Sequence, residues 1–306
     1  MIDRRTLLGA IAALPLATSA AAQAGAAPSA AALHKVRIPG TKRDVPLVGV
    51  GTSRRYNDPQ GADQMAALKA SIARFAELGG QVIDTAPSYG RAEAVTGQLV
   101  QELGVRDRLF LATKVGVDSR EEGVAQVEQS FRNLRTDHID LIAVHNLRDV
   151  GNQLAILREL KAEGRVGAVG ITTSSDTQYA DFEAVMRREP LDAIQVDYAL
   201  DNRGAGDRIL PLAQDRQVAV MINLPFGRGR LFEATQGKPL PDWAAEIGAA
   251  SWAQVFLKYI VSHPSRPIAI PGMAQARYVD DNMGAARGPL PDQAMRKRME
   301  DYIAAI

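Results

Sequence analysis

The chain contains no cysteine. A disulfide framework, a thiolate metal site and a cysteine nucleophile are all excluded from the outset. A dominant charge is missing too. Thirty-six Lys and Arg stand against 35 Asp and Glu, for a formal net charge of +1, and no long basic run concentrates it. Nucleic-acid binding therefore has no electrostatic support. After the N-terminal stretch, no apolar run approaches the ~20 residues of a membrane span, so no membrane insertion of the mature protein is expected. Also absent are a Walker loop, an HExxH zinc motif, a GxSxG elbow, an N-x-S/T acceptor and a complete GxGxxG; Gly49-Val50-Gly51 and Gly227-Arg228-Gly229 each lack the third glycine.

What is present begins with an export signature. Arg4 and Arg5 form a twin arginine ahead of Thr6-Leu7-Leu8, an alanine-rich apolar stretch runs from Leu7 to Leu16, and small residues around Ala20 to Ala26 offer A-x-A cleavage sites. Paired arginines point to the twin-arginine translocation machinery, which carries folded proteins, and to a periplasmic or otherwise exported location. Gln23 to Ala32 is rich in Ala, Pro and Ser and reads as disordered. The expected division is a signal peptide and linker over 1–32 and one domain over 33–306; about 280 residues suffice for one large core.

In that domain, His34 to Pro39 and Asp44 to Val50 flank Gly40-Thr41 as a short hairpin leading into a first strand. Apolar runs then alternate with amphipathic stretches. The expected strands are Leu47–Gly51, Val82–Thr85, Leu109–Thr113, Ile139–Val144, Val166–Ile171, Ala193–Val196, Ala219–Ile222 and Ile268–Ile270. Helices are expected to start near Gln64, Ala92, Gly123, Asn152, Gln178, Gly206 and Ser251, with a last pair over Ala276–Ala286 and Asp292–Ala304. Met65, Leu68, Ile72, Phe75 and Ala76 fall at helical spacing, as do Leu154, Leu157 and Leu160 before the stop signal Glu163-Gly164. Strands apolar throughout are buried on both faces, as in a parallel sheet. Eight of them, each followed by a helix, predict a (β/α)8 TIM barrel with a short N-terminal β-hairpin. A doubly wound open sheet is the alternative, disfavoured because no glycine fingerprint follows the first strand.

A barrel places function just past the C-terminal ends of its strands. Those ends carry Thr52, Asp84 with Tyr89, Lys114, His145-Asn146, Thr172-Thr173-Ser174, Gln195, Asn223 and Pro271-Gly272. A full ring of polar groups on otherwise apolar strands is hard to explain structurally.

With these stretches in view (VIDTAPSYG, LFLATKVG, HIDLIAVHN, GAVGIT, AIQVDYAL and IAIPGMAQARYVDDN), the chain from about His34 onward resembles the aldo-keto reductase family. The resemblance implies a nicotinamide-dependent oxidoreductase that interconverts carbonyl and hydroxyl groups, and it puts Asp84, Tyr89, Lys114 and His145 on the family's catalytic tetrad. The chemistry is coherent. Carbonyl reduction needs a proton on oxygen, and a phenol with a free pKa of about 10 is a poor acid. A lysine cation lowers that value; an aspartate holds the lysine; a histidine holds the carbonyl oxygen. Taken singly, Lys114 reads as a solvated residue and His145 as a satisfied polar one. His34, His138 and His263 read as structural or exposed, and Asp140 as binding backbone.

The resemblance also implies a cofactor site, with NADP(H) favoured and NAD(H) the alternative. Thr172 and Thr173 replace a Ser-Asn pair that, with a glutamine matched by Gln195, holds the nicotinamide carboxamide. Thr52, Pro271, Gly272, Arg277, Asp281 and Asn282 fall on cofactor-contacting stretches, with Arg277 beside an adenosine 2′-phosphate. Asn223 replaces an aromatic that stacks on the ring, leaving Phe226 to cover it. Arg228 and Arg230 lie on the long loop Gly227 to Glu246, which passes over the pyrophosphate. Arg54 and Arg55 face either an anionic or hydroxylated substrate or plain solvent. The expected substrate is a small polar aldehyde, ketone or sugar in an open pocket, and an exported enzyme calls for an electron-carrier partner or a second substrate to recycle the nucleotide. The competing readings are a cofactor-bound regulatory or binding subunit with little turnover, and a barrel hydrolase or isomerase. The latter needs a carboxylate pair or metal cluster, and Asp84 is the lone acid at the rim.

Overall fold

The computed structural model describes residues 31–306; the export signature and all but the last two residues of the linker lie outside them. A two-stranded antiparallel hairpin comes first, β1 (Lys35–Arg37) and β2 (Asp44–Pro46), with Val36 opposite Val45. Eight parallel strands follow in chain order around one sheet: β3 (Val50–Gly51), β4 (Val82–Asp84), β5 (Phe110–Val115), β6 (Ile139–His145), β7 (Val166–Thr172), β8 (Ala193–Asp197), β9 (Ala219–Asn223) and β10 (Ile268–Ala269). Between them run α1 (Gly61–Glu77), α2 (Ala92–Leu103), α3 (Arg120–Leu134), α4 (Val150–Ala162), α5 (Tyr179–Arg188), α6 (Ala205–Asp215), the short α7 (Arg230–Ala234) and α8 (Trp252–Val261); α9 (Ala276–Gly284) and α10 (Gln293–Ala304) complete the chain.

The first strand is split between two jobs. Only Val50 and Gly51 ladder with β4, whereas Leu47 to Gly51 also exchange bonds with the far end of the chain: Gly49 N to Ala269 O (2.8 Å), Ala269 N to Leu47 O (2.9 Å) and Gly51 N to Pro271 O (2.9 Å). These contacts close the sheet into the (β/α)8 barrel.

Side-chain parity separates two cores. Leu111, Ile142, Val169, Ile194, Val220 and Ile222 point outward to the helices. The alternate set points inward: Val82, Phe110 and Ala112, Leu141, Ala168, Ala193, Ala219 and Met221, Ile268 and Ile270, with Ile38 and Val45 of the hairpin. Because strand side chains alternate with period two, the inward rows continue upward. Val82 leads to Asp84, Ala112 to Lys114, Ala193 to Gln195 and Met221 to Asn223; from Leu141 and Ala168 the rows reach His145 and Thr172 four residues on. An apolar plug thus sits directly beneath a polar layer.

The opposite end is bolted by Asp140, 4% exposed. Its carboxylate accepts from Leu111 N (2.9 Å) and pairs with Arg106 (2.9 Å) and Arg43 (3.4 Å); Arg43 also donates to Leu109 O. Asp140 therefore binds backbone and also locks the hairpin. The start of the described chain is tied down from far away: Arg287 donates to Ala31 O (2.5 Å) and Leu78 O (3.0 Å), and His34 Nε2 meets Gly288 O at 2.7 Å. Lys258, fully buried, donates to Arg287 O and Pro289 O from beneath.

Most helix starts fall within a few residues of expectation. Helix α3 begins at Arg120 rather than near Gly123, because Ser119 caps it by accepting from Glu122 N (3.2 Å), the S-x-x-E signature of a capped N-terminus. The long loop after β9 carries α7 and a 3-10 turn, Asp242–Ala244, where Trp243 is buried edge-on to Tyr302.

Replacing Asp140 with alanine leaves two part-buried guanidinium groups and a buried amide without their acceptor. The expected cost is about 2–4 kcal/mol of unfolding free energy. Urea denaturation of Asp140→Ala measures it; a loss below about 0.5 kcal/mol contradicts this account of the bolt.

Candidate active site

The polar layer lines a cavity of about 240 Å³ at the C-terminal mouth of the barrel. Asp84, Tyr89, Lys114, His145, Thr52, Thr172, Thr173, Gln195, Asn223 and Arg228 all border it. At its floor Lys114, 1% exposed, donates to both oxygens of Asp84 (2.8 and 2.9 Å) and to Thr85 O (2.7 Å). Thr52 braces the acid from β3: its amide and hydroxyl both donate to Asp84 O, at 3.1 and 3.0 Å. Gln195 Nε2 adds a third side-chain donor to Asp84, at 3.3 Å.

Burial is the largest single effect on Lys114 and opposes its charge, but Asp84 and Tyr89 together outweigh it and hold the ammonium above the ordinary lysine value. Burial pushes the Asp84 carboxyl up against the pull of Lys114 and Gln195. Tyr89 hangs from the loop after β4, its ring centre 5.2 Å from Lys114 Nζ. Lys114 pulls the phenol down as expected; burial and the Asp84 charge push it up, and the sum lies above the ordinary 10.0. The Tyr89 phenol is thus protonated at neutral pH. His145 meets Tyr89 edge-on at 6.2 Å and 84°. Burial, with help from Lys114, lowers the imidazole to about 4, so it is neutral near pH 7. Gly116 makes room for it; a Cβ there would stand 2.9 Å from the His145 Cβ.

After His145 the backbone takes three left-handed residues, Asn146, Leu147 and Asp149, with φ of 51°, 57° and 44°. Such conformations cost free energy and cluster where side chains must be aimed. Asn146 borders the cavity, as do Ser53, Ser174, Leu224 and Ile270. The last two were not singled out in the sequence. Ile270 was within reach of the inward parity of β10; Leu224 was not, because its place follows from a left-handed turn, φ 50°, directly after β9.

A second trough of about 260 Å³ shares Gly51, Ser53, Leu224, Arg228 and Ile270 with the cavity and continues past Phe226 and Gly272. Arg54, Arg55 and Arg228 line it, no acid does, and none of the three makes an ion pair among the described residues. Phe226 packs against Phe232 and Phe256 there, outside the cavity itself. Arg230 is committed to Asp201 at 2.8 Å. Pro271 is buried at the barrel seam, its carbonyl on Gly51 N. Farther out on α9, Arg277 is exposed and lies 4.9 Å from the Tyr278 ring. Asp281 accepts from Ser251 Oγ and Gln254 Nε2, joining α9 to α8, and Asn282 is buried. Thr173 is also occupied, its hydroxyl on Gln178 Oε1 at 2.5 Å.

A model of the aldo/keto reductase family matches residues 47–300. Aldo-keto reductase YhdN of Bacillus subtilis is 32% identical over 186 residues, 56% of this chain and just over half (55%) of that protein. Methylglyoxal reductase YeaE of Escherichia coli is 32% identical over 249 residues, 78% of this chain and 84% of that protein. Among solved structures, an aldo-keto reductase from Klebsiella pneumoniae in complex with NADPH is similar at 25% identity and a TM-score of 0.74, covering 89% of this chain and 95% of that one.

Two imidazoles make the fold sensitive to mild acid. His145 and His263 are each lowered by burial from 6.5 to about 4. Between those values the unfolded chain binds protons that the folded one does not, so stability falls as pH drops from about 6.5 towards 4. The urea midpoint is expected to be lower at pH 5 than at pH 7, and His145→Gln and His263→Gln are each expected to shrink the difference. An unchanged wild-type midpoint would refute the assignment.

Proposed function

The chain belongs to the aldo/keto reductase family, and from that premise we propose that it interconverts carbonyl and hydroxyl groups of small polar molecules, with Tyr89 as the proton donor. The observation that carries the reading is the buried pair of Lys114 and Asp84 set against the Tyr89 phenol at the floor of an open-mouthed cavity.

The donor set suits a nicotinamide nucleotide, favouring NADP(H). The cavity runs into a trough lined by guanidinium groups without acids, as a diphosphate requires, and the exposed Arg277 offers a planar cation for a further phosphate. When bound, the nucleotide supplies or accepts the hydride. Thr172 and Gln195 would hold its nicotinamide end, Arg228 and Gly272 its diphosphate, and Arg277 and Asn282 its adenosine end. Arg230, through Asp201, would fix the loop above.

The protein's own part is proton management and orientation. Neutral His145 donates an N–H to the substrate oxygen and orients it towards Tyr89. As charge develops on that oxygen, the Tyr89 proton moves to it. Lys114, fixed by three hydrogen bonds, stabilises the phenolate left behind. Asp84 keeps the ammonium charged and in place throughout. The cavity wall bears Ser53, Asn146, Ser174 and Asn223 against the aliphatic Leu224 and Ile270, which suits a hydroxylated or dicarbonyl substrate. This complete set also weighs against a binding subunit without turnover.

The twin arginine at Arg4-Arg5 supports export in the folded state, with the nucleotide loaded beforehand and recycled by a second substrate or an electron-carrier partner.

Tyr89→Phe is expected to lower kcat by about 10²–10⁴ while nucleotide affinity stays within about threefold. Equal turnover by both proteins ends the mechanism. Across a panel of carbonyls, hydroxyaldehydes and dicarbonyls are expected to exceed long-chain aliphatic and aromatic aldehydes in kcat/KM; the reverse order counts against the substrate class. Lysines at positions 4 and 5 (Arg4→Lys with Arg5→Lys) are expected to hold the full chain in the cytoplasmic fraction; unchanged fractionation contradicts the export route.

A further inference from the structure

The His145 ring borders the cavity and makes no hydrogen bond among the described residues. It is held by contact alone. Tyr89 meets it edge-on, ring centres 6.2 Å apart, and the backbone of Gly116 lies against its root. A Cβ on Gly116 would stand 2.9 Å from His145 Cβ, 3.6 Å from Cγ and 3.7 Å from Nδ1. Gly116 lies outside the left-handed backbone region, so glycine here serves space rather than chain reversal. The position of Gly116 therefore sets the position of the imidazole.

Gly116 is tethered on both sides. Its N–H donates to Gln126 Oε1 on α3 at 2.7 Å, and its carbonyl accepts from Arg148 Nη1 at 3.2 Å. Arg148 also pairs with Asp118, but both side chains are exposed, and such a pair contributes little. Gln153 of α4 holds the residues beyond, donating to Val117 O (3.2 Å) and Ser119 O (3.0 Å). Of the two tethers on Gly116, the Gln126 bond is the shorter and the better shielded. Gln126 itself does not border the cavity. We propose that Gln126 is a positioning residue for His145: by fixing Gly116 it fixes the seat of the imidazole, and hence the direction in which the ring offers its N–H to the substrate oxygen. A hydrogen bond on one ring nitrogen commonly sets the role of the other. Neither nitrogen of His145 has such a partner, so packing against Gly116 takes that part. The inference rests on the role given to His145 above.

The first measurement is NMR of the imidazole Cε1–H signals in nucleotide-free protein, with His145 identified by its absence in His145→Gln. The charged groups facing the ring are Lys114 of β5 and Arg148 of the turn after β6, with the Tyr89 phenol beside it. Burial keeps its titration down at about 4. Gln126→Met keeps the length of the side chain and removes the acceptor; Gln126→Glu keeps an acceptor. In Gln126→Met the His145 signal is expected to shift and its midpoint to rise by about one pH unit, as water reaches a loosened seat. The other imidazole signals stay in place, and Gln126→Glu shows less than about half the rise. The second measurement is reduction of methylglyoxal with saturating NADPH. Gln126→Met is expected to lower kcat about tenfold with the KM for nucleotide within about twofold, and Gln126→Glu to restore most of the loss. An unmoved His145 signal in Gln126→Met overturns the proposal; if that variant does not fold, an unmoved signal in Gly116→Ala does so. Equal effects of Gln126→Met and Gln126→Glu also overturn it, since Gln126 would then serve helix packing. So does a fall in kcat with no movement of the ring signal, because the loss then bypasses His145. Failure of the catalytic reading looks different: Tyr89→Phe keeps wild-type turnover, while the NMR result, which needs neither nucleotide nor substrate, still decides whether Gln126 places His145.

Discussion

The ion pair between Lys114 and Asp84 is the constraint around which the mouth of the barrel is built. Two opposite charges lie almost wholly out of water, and neither is tolerable there alone: removing one partner of such a pair typically costs about 3–5 kcal/mol. Everything near them answers to that requirement. Thr52 grips the backbone of the acid, Gln195 supplies it with another donor, and Thr85 O takes a third bond from the ammonium. These braces come from β3, β4 and β8, so the pair is fixed by the barrel rather than by any local stretch of chain. A phenol placed beside it is pulled down by the cation, but burial and the Asp84 charge outweigh that pull and keep the Tyr89 proton in place.

Much of this was legible in the sequence, for a physical reason. Buried parallel strands leave apolar runs with sharp polar ends, and in a barrel those ends converge, so Asp84, Lys114, His145, Thr172, Gln195 and Asn223 could be placed on one rim before their neighbours were known. What remained hidden depends on partners distant in the chain. Leu47 to Gly49 looks like an ordinary first strand, yet it bonds to Ala269. Arg230 and Asp281 read as cofactor contacts until Asp201 and Ser251 are brought to them. The net position of the Tyr89 phenol was also beyond reach, because it is a sum of opposing effects of similar size. Ser119, by contrast, carried a readable local capping signal.

The two amides at the mouth follow one rule. Gln195 and Asn223 each spend their amide donor on the protein, on Asp84 and on the Thr173 carbonyl. Dipoles fixed in this way require no reorganisation when a ligand arrives. The trough is lined by guanidinium groups and no acids, so the site becomes more cationic along its length.

The ties between the two ends of the described chain bear on the order of synthesis. Leu47 waits for Ala269, and Ala31 and His34 wait for Arg287 and Gly288, which Lys258 holds in turn. A chain emerging from the ribosome begins with segments whose partners are made last. A chain that stops before Ala269 cannot make the closing bonds of the barrel, and one that stops before Arg287 cannot tie down Ala31.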